Sequence, residues 1–243
     1  IRQVHTVFCR TGCSLWRRIA VFFFALPVYY LLAIYIGAAL LPAFFLMRYI
    51  YNQDSVEKEP GYLLLNLALL GVVAALLASV LEGIGERILG EFVSESSPNY
   101  VFYLAFLVVA AAEEGMKYLL LYRRTWNDPN FNCRFDGIVY AAFVSLGFAG
   151  LENILYIFRY GLSVAMSRAI LAIPGHLGFS VFMGFFYSRA RRRFRIGEYT
   201  TGRIHLVLAY LVPVFLHGVY DSCCMLGTGS STAVFLLFVT AMY

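Results

Sequence analysis

Seven ionisable side chains lie inside stretches that are otherwise apolar enough to cross a membrane. They are Glu113, Glu114, Lys117, Glu152, His176, His217 and Asp221. Burying such a group in hydrocarbon costs free energy, so ionisable residues in membrane spans usually belong to ion paths, proton relays or catalytic sites. Carboxylates and imidazoles are also the side chains that exchange protons and bind metal ions. The chemistry of the chain is therefore expected among these residues.

Glu113, Glu114 and Lys117 share one helix face. Lys117 follows Glu113 by four residues and Glu114 by three, so its ammonium can neutralise one carboxylate and leave the other free. One glutamate can then be structural while its neighbour is chemical. For this trio alone, a buried ion pair that only fixes the helix register is the alternative interpretation.

His217 and Asp221 are also four residues apart and project from one helix face. They can bind one metal ion together, or form a pair in which the carboxylate fixes the imidazole tautomer. Next to His176, Pro174 and Gly175 are expected to loosen the helix and to free backbone groups toward a cavity. A single histidine in a span is usually a packing residue, but two histidines with an acid favour a site.

Glu152 follows a small-residue face that contains Gly147 and Gly150. Small residues let helices in a membrane approach closely, so a neighbouring helix is predicted to pack near Glu152. Asp136 precedes this stretch and is expected to cap the helix N-terminus. Arg168, eight residues before His176, is expected near the membrane face, where it binds lipid or pairs with an acid.

The elements that position these residues follow from composition. The chain has 243 residues, of which 61% are hydrophobic and 14% charged, and its mean hydropathy is +0.73. Long continuous apolar runs exclude the alternating pattern of a membrane β-barrel. The prediction is an all-α fold, a polytopic transmembrane helical bundle of about seven spans. The runs cover about 19–47, 61–81, 99–122, 137–158, 168–188, 204–226 and 231–243, and the segment 82–99 is expected to be an amphipathic excursion.

Orientation is predicted from the positive charges. If each run crosses once, loops 48–60, 123–136 and 189–203 carry eleven Lys and Arg residues, against seven on the opposite face. The richer face should be cytoplasmic. The segment Arg189–Arg195 holds five arginines and is expected to contact anionic lipid headgroups there. No nucleic-acid partner is predicted, because the positive charge is concentrated in one loop at the membrane edge.

Five motifs together resemble those of the PrsW family of intramembrane proteases. In order they are Glu-Glu-x-x-Lys at 113–117, Asp-Gly-Ile-Val-Tyr at 136–140, Gly-Phe-x-x-x-Glu-Asn at 147–153, Pro-x-His at 174–176 and His-x-x-Tyr-Asp at 217–221, and a loop ending in Glu59-Pro60 is similar as well. The set is more distantly similar to the CAAX prenyl proteases and their bacterial relatives, which have an arginine and an asparagine where this chain has Lys117 and Asp221. The resemblance covers 31–243, which it identifies as a single transmembrane protease-like domain; segment 1–30 is a basic, apolar N-terminal segment outside it.

The resemblance implies an intramembrane endopeptidase in a bacterial plasma membrane. Its implied substrate is a membrane-anchored protein, as in the first, site-1 cleavage of an anti-sigma factor in stress signalling. The residues that the resemblance assigns to catalysis are Glu113, Glu114, Glu152, His176, His217 and Asp221.

Two mechanisms remain open at this point. In a zinc-dependent one, His176, His217 and Asp221 bind the metal with Glu113 or Glu152, and the remaining glutamate takes a proton from water. In a metal-free one, similar to that of the CAAX proteases, Glu113 and His176 activate water while His217 and its partner donate to the oxyanion. Asp221 could donate only when protonated, so the ligand chemistry favours zinc.

Two other functions use the same residues. A proton- or cation-coupled transporter would employ buried carboxylates and histidines as a relay, although no internal repeat between the two halves of the sequence is detectable. A structural scaffold would use the polar groups only to hold helices together. Seven such groups favour a site over a scaffold.

Overall fold

The structure is a computed structural model that describes residues 2–54 and 57–242, with side chains described from 26 to 54 and from 57 to 241. By compactness the chain divides into 1–38, which contains the leading part of the first helix, and 39–243, which contains the remaining elements. The described part of the chain is helical with short connections and contains no strand.

Seven helices follow one another in the described residues. They are α1 Arg2–Gln53, α2 Gly61–Phe92, α3 at 100–125, α4 Asp136–Tyr160, α5 Leu162–Arg195, α6 Tyr199–Leu226 and α7 Gly229–Met242. Five have segments long and apolar enough to cross a membrane: Leu26–Gln53, Gly61–Phe92, Asp136–Tyr160, Leu162–Arg195 and Tyr199–Leu226. The predicted all-α membrane bundle is thereby confirmed.

The predicted break after residue 81 is wrong, because α2 continues without interruption to Phe92. Leu81, Ile84 and Ile88 extend its apolar face at helical spacing and are exposed on its surface. Exposed apolar side chains are stable on a helix that faces lipid. The first half of the expected amphipathic excursion is therefore part of a long helix, and this carries Glu82 into the bundle.

α4 is packed closely between α2 and α5. A Cβ atom on Gly147 would come within 2.1 Å of the carbonyl oxygen of Ala68 in α2, and one on Gly184 within 2.4 Å of the carbonyl oxygen of Gly137. Only glycine permits such backbone approach. The expected close contact near Glu152 is thus confirmed, and the neighbouring helix is α2.

Two helices change their winding just before residues of interest. Leu104–Ala110 in α3 and Arg168–Ala172 in α5 are π-helical, and α-helical winding resumes at Ala111 and Ile173. Pro174 is the second residue of the resumed helix, where its missing N–H group is tolerated. The loosening predicted at Pro174 and Gly175 is therefore wrong, because the turn that carries His176 is α-helical and the wider π-helical turns end before Pro174.

The cap predicted at Asp136 is wrong. Its Oδ2 accepts the backbone N–H groups of Asn132 and Cys133, at 2.8 and 2.6 Å, so the carboxylate closes the preceding turn and does not cap the helix. Nearby, the hydroxyl of Tyr140 donates to Glu59 Oε2 at 2.7 Å. The hydrogen bond between Tyr140 and Glu59 therefore connects the loop before α2 to the beginning of α4.

Candidate active site

Four buried side chains from three helices meet in a compact cluster. Glu113 and Glu114 come from α3, His176 from α5 and His217 from α6. One donor atom from each lies within 4.8 Å of the others. The two imidazole rings are nearly perpendicular, with centroids 5.3 Å apart. Residues separated by about a hundred positions are thus brought together by the packing of α3 against α6.

The ammonium of Lys117 lies in the middle of this cluster. Its Nζ is 3.1 Å from Glu113 Oε2, 2.8 Å from Glu114 Oε1 and 3.1 Å from His176 Nδ1. It also lies 3.9 Å from the centroid of the Phe148 ring, within cation–π range. The lysine does pair with the glutamates, but the prediction that it leaves one of them free is wrong, because it contacts both. Because an ammonium can only donate, His176 Nδ1 accepts this hydrogen bond and the ring proton is on Nε2.

Glu152 accepts a hydrogen bond from this Nε2–H group. His176 Nε2 donates to Glu152 Oε2 at 2.8 Å, and the same oxygen lies 3.0 Å from Nη2 of Arg168. The Nε of Arg168 donates to Asn153 Oδ1 at 2.9 Å, and the Asn153 amide donates to the carbonyl of Ala39. The expectation that Arg168 pairs with an acid is confirmed, and the acid is Glu152. Arg168 thereby fixes the carboxylate that orients His176.

Asp221 lies outside the compact cluster, on the far side of His217. Its Oδ2 is 3.3 Å from His217 Nε2, while His217 Nδ1 lies 2.9 Å from Glu114 Oε1. Phe179 stacks on the imidazole at 4.9 Å between centroids. An acid behind a histidine fixes the ring and raises its basicity as a ligand. Of the two roles predicted for the pair, this geometry corresponds to the carboxylate–imidazole pair.

A cavity of about 660 Å³ opens beside the cluster. Glu113, Glu152, His176, His217 and Asp221 line it, whereas Glu114 is fully buried and lies behind the wall. The rim includes exposed Tyr156, Tyr160 and Met225, from the ends of α4 and α6. This end of the bundle is opposite the arginine-rich end of α5. Of the two adjacent glutamates, only Glu113 is therefore within reach of a substrate.

Glu82 is a cavity residue that the sequence analysis did not select. It lines the same wall as Glu113 and Glu152, because α2 continues past the predicted helix end. The sequence did contain a signal for it, because Glu82 is an acidic residue directly after the long apolar run 61–81. Together with Lys117 and Glu114, the cavity surroundings contain five carboxylates and three permanent cations, Lys117, Arg159 and Arg168. This excess of acidic groups favours a bound cation.

The donor set fits a divalent metal ion such as zinc. Two imidazoles and two carboxylates in close proximity are typical zinc ligands. One buried oxygen, Glu114 Oε2, has no hydrogen-bond partner among the described residues and is available as a ligand. The Lys117 ammonium already places a positive charge among the same donors, so a metal ion bound by all four would displace it.

A family model and the individual proteins named below, which are similar to this chain, all point to one protein family. A family model described as PrsW family intramembrane metalloprotease matches residues 59–243. The chain is 36% identical over 188 residues to Protease PrsW of Geobacillus kaustophilus, covering 76% of this chain and 77% of that protein. It is 36% identical over 187 residues to Protease PrsW of Bacillus subtilis (76% and 80% covered) and 33% identical over 213 residues to that of Oceanobacillus iheyensis (86% and 93%). No solved structure matches.

Proposed function

This chain belongs to the PrsW family of intramembrane proteases, and we propose that it hydrolyses a peptide bond of a membrane-anchored protein at the cavity beside Glu113. It is a multi-pass protein of the bacterial membrane. The observation that carries the proposal is the placement of Glu113, which faces the cavity next to two histidines and a buried lysine. Peptide hydrolysis needs a base for water, a polarised carbonyl and a proton for the leaving amine. These groups can supply all three.

We assign the water-activating step to Glu113. Its carboxylate lines the cavity, and Lys117 holds one oxygen at 3.1 Å while the other can accept a proton from water. As Glu113 takes the proton, the water oxygen bonds to the carbonyl carbon of the peptide. The C–N bond then breaks, and the proton passes from Glu113 to the nitrogen of the leaving amine. Glu114 keeps Lys117 and His217 in place from behind. Glu152, fixed by Arg168, keeps His176 in the tautomer whose Nδ1 faces the cluster.

A zinc ion is the proposed cofactor. Glu114, His176 and His217 would hold it, Glu113 would remain free to act as the base, and Asp221 would orient His217 through Nε2. In this proposal Asp221 positions the ligand His217, whereas the sequence favoured Asp221 itself as a ligand. When bound, zinc polarises carbonyl oxygens and makes water more acidic.

A metal-free mechanism is the second candidate, and Lys117 favours it. Its ammonium lies where an added cation would contact Glu113, Glu114 and His176, and it already neutralises much of their charge. In that mechanism Glu113 acts as the base in the same way. The two candidates differ in whether Lys117 remains inside the cluster during the reaction.

Three further proposals concern the bounds of the protease domain, the substrate and the contact with lipid headgroups. We propose that residues 31–243 form the single protease domain and that the substrate is a membrane-bound anti-sigma factor in a stress response, as the family resemblance implies. The arginines at 189–195 are proposed to contact anionic headgroups on the cytoplasmic leaflet.

The test is the metal content of the purified chain, measured by inductively coupled plasma mass spectrometry beside a cleavage assay. Wild type is compared with His217→Ala and with His205→Ala, a histidine whose Nδ1 contacts the carbonyl of Thr201 away from the site. Zinc in wild type and His205→Ala, but not in His217→Ala, supports the zinc mechanism. A metal-free wild type that still cleaves a membrane protein supports the second mechanism. A chain that binds no metal and cleaves nothing, but conducts protons or cations in vesicles, would overturn the proposed function.

A further inference from the structure

A second cavity lies at the other end of α5, far along the helix from the carboxylate–histidine cluster. It has a volume of about 430 Å³ and lies between the first turn of α4 and the last turns of α5. The side chains of Arg134, Arg189, Arg192 and Arg193 line it, together with apolar residues that include Ile138 and Phe185. One cavity thus combines several guanidinium groups with an apolar wall.

Most of this positive charge is not compensated by acids. Arg193 is paired, with its Nη1 2.5 Å from Glu198 Oε2. Within 26–54 and 57–241, no ion pair or hydrogen bond to an acid involves Arg134, Arg189 or Arg192. Three guanidinium groups around one cavity form a strongly positive site, and their forked donors match the oxygens of a phosphate.

Ser188 provides a second, independent sign of a ligand. Ser188 is one of the residues that line the cavity and is 6% exposed. Its buried Oγ lies next to Gly137, where α4 meets α5, and has no hydrogen-bond partner in the described part of the chain. A buried hydroxyl without a partner is unfavourable, and a phosphate oxygen in the cavity would accept its proton. This hydroxyl distinguishes a built site from a diffuse patch of positive charge.

The apolar wall indicates which phosphate compound fits. Phe185 lies one turn before Arg189, is 41% exposed, and has its ring centroid 5.0 Å from the Arg189 guanidinium carbon. The exposed face of α5 therefore changes from aromatic to cationic within one turn, as expected at the boundary between acyl chains and headgroups. A soluble phosphate compound without an acyl chain would leave this apolar wall uncovered.

We propose that this cavity binds the phosphate of one anionic phospholipid, with Arg134, Arg189 and Arg192 around the phosphate, Ser188 donating to it and an acyl chain along Phe185. The site does not depend on the proposed proteolytic activity. It differs from general attraction to a charged membrane, because it predicts a fixed stoichiometry and a role for an uncharged hydroxyl.

The test is native mass spectrometry of the detergent-solubilised chain titrated with phosphatidylglycerol, and with phosphatidylcholine as the uncharged comparison. Wild type should retain one phosphatidylglycerol in preference to phosphatidylcholine. The triple variant R134Q/R189Q/R192Q should lose that preference, since each lost charge weakens binding by about fivefold. Ser188→Ala keeps every charge and should weaken binding by about threefold to tenfold.

The matched control is R48Q/R123Q/R203Q, which removes three exposed arginines outside the cavity that are predicted on the same membrane face. It should bind phosphatidylglycerol as wild type does. Equal weakening in both triple variants, with no effect of Ser188→Ala, would mean diffuse attraction and would overturn the proposal. Displacement of the lipid by glycerol 3-phosphate or inorganic phosphate at similar concentrations would overturn the lipid assignment in favour of a soluble anion. Thermal unfolding in detergent checks the fold, and the single variant Arg192→Gln replaces the triple if the latter unfolds.

Discussion

The two adjacent glutamates of α3 are chemically identical but have different surroundings. Glu114 is fully buried and contacts Lys117 and His217, whereas Glu113 lines the cavity. Lys117 contacts both carboxylates, but its single ammonium can balance only one negative charge. Their separate roles result from their positions relative to Lys117, because Glu113 lies on its cavity side and Glu114 on its buried side.

Glu113→Gln should abolish cleavage while the protein stays folded. The amide keeps a contact with Lys117 but cannot take a proton from water, so the rate should fall by about 10²–10⁴-fold, the usual contribution of a general base. The measurement is cleavage of a membrane protein in vesicles, with helix content by circular dichroism. Glu86→Gln on the exposed surface of α2 is the control and should cleave normally. A fully active Glu113→Gln variant would exclude this residue as the base.

Asp221→Asn should weaken the site without destroying it. Asp221 contacts only one nitrogen of His217, on the side away from the cluster. Loss of an acid behind a ligand typically costs about 10–100-fold in metal affinity or activity. Zinc affinity measured by competition with a chelator should fall within that range, whereas His217→Ala should abolish binding. Equal loss in both variants would indicate that Asp221 is itself a ligand.

Helix crossings in this bundle depend on glycines that allow backbone contact. Gly71 and Gly147 lie where α2 and α4 touch, and Gly184 lies where α5 meets α4. α2 carries Glu82, α4 carries Glu152 and α5 carries His176, so these contacts also determine the distances between the polar residues of the cavity. Packing and site geometry are therefore coupled through α4.

Gly147→Ala should destabilise the protein and reduce cleavage together. Its new methyl group would lie 2.1 Å from the carbonyl oxygen of Ala68, so α2 and α4 must separate. Forced overpacking of this kind costs about 1–3 kcal/mol in the free energy of unfolding. Gly83→Ala in α2 has open space around its position and serves as the control. Thermal unfolding in detergent measures the difference, and equal melting temperatures of the two variants would contradict this account of the crossing.

The loop before α2 should make stability depend on pH. Burial raises the pKa of the Glu59 carboxyl to about 7 from its ordinary value of 4.5. The folded state thus holds a proton that the unfolded chain releases, so this contribution is complete below pH 4.5 and is lost as pH rises through about 7. Glu59→Gln should flatten that part of the stability–pH curve, measured by thermal unfolding. An unchanged curve would mean that Glu59 is not buried in this way.

Local spacing in the sequence predicted several contacts correctly. The intervals of three and four residues placed Lys117 within reach of both glutamates and His217 within reach of Asp221, because a helix fixes such distances by itself. They did not show that Lys117 would bind both glutamates at once. The small-residue face near Glu152 gave the close approach of another helix. By contrast, the role of Asp136 and the π-helical segments depend on the exact path of backbone hydrogen bonds, which leaves no period in the sequence. The helical spacing of apolar residues does continue past Glu82, but its place in the cavity wall depends on how α2 packs in the bundle.

Within 39–243, the two ends of the helical bundle have opposite character. One end contains the arginine-rich terminus of α5, and the other contains the cavity with Glu113 and its rim of tyrosines. Twelve residues of α5 separate His176 from Ser188, about 18 Å along a helix. The positive-charge rule places the arginine end in the cytoplasm, so the cavity is predicted to open toward the outer side.

Membrane orientation can be tested with two single cysteines in a cysteine-free chain. Asn127→Cys lies in the connection between α3 and α4, and exposed Ser163 lies in the first turn of α5, next to the connection from α4. A membrane-impermeant maleimide added to intact cells should label Ser163→Cys and leave Asn127→Cys unlabelled until the membrane is opened. The reverse pattern would invert the predicted orientation without altering the site.

The one-sided opening of the cavity has a further consequence for how the protein senses its surroundings. If the cavity opens toward the outer side as predicted, we expect its water to exchange with that compartment, so that the protonation of Glu113 equilibrates with the medium there and not with the cytosol. In sealed vesicles, the cleavage rate should therefore follow the acidity of the compartment that the cavity faces, even when the acidity of the other is held constant. A cell that carries such a protein would then convert a change in the acidity of that compartment into a change in the rate of proteolysis.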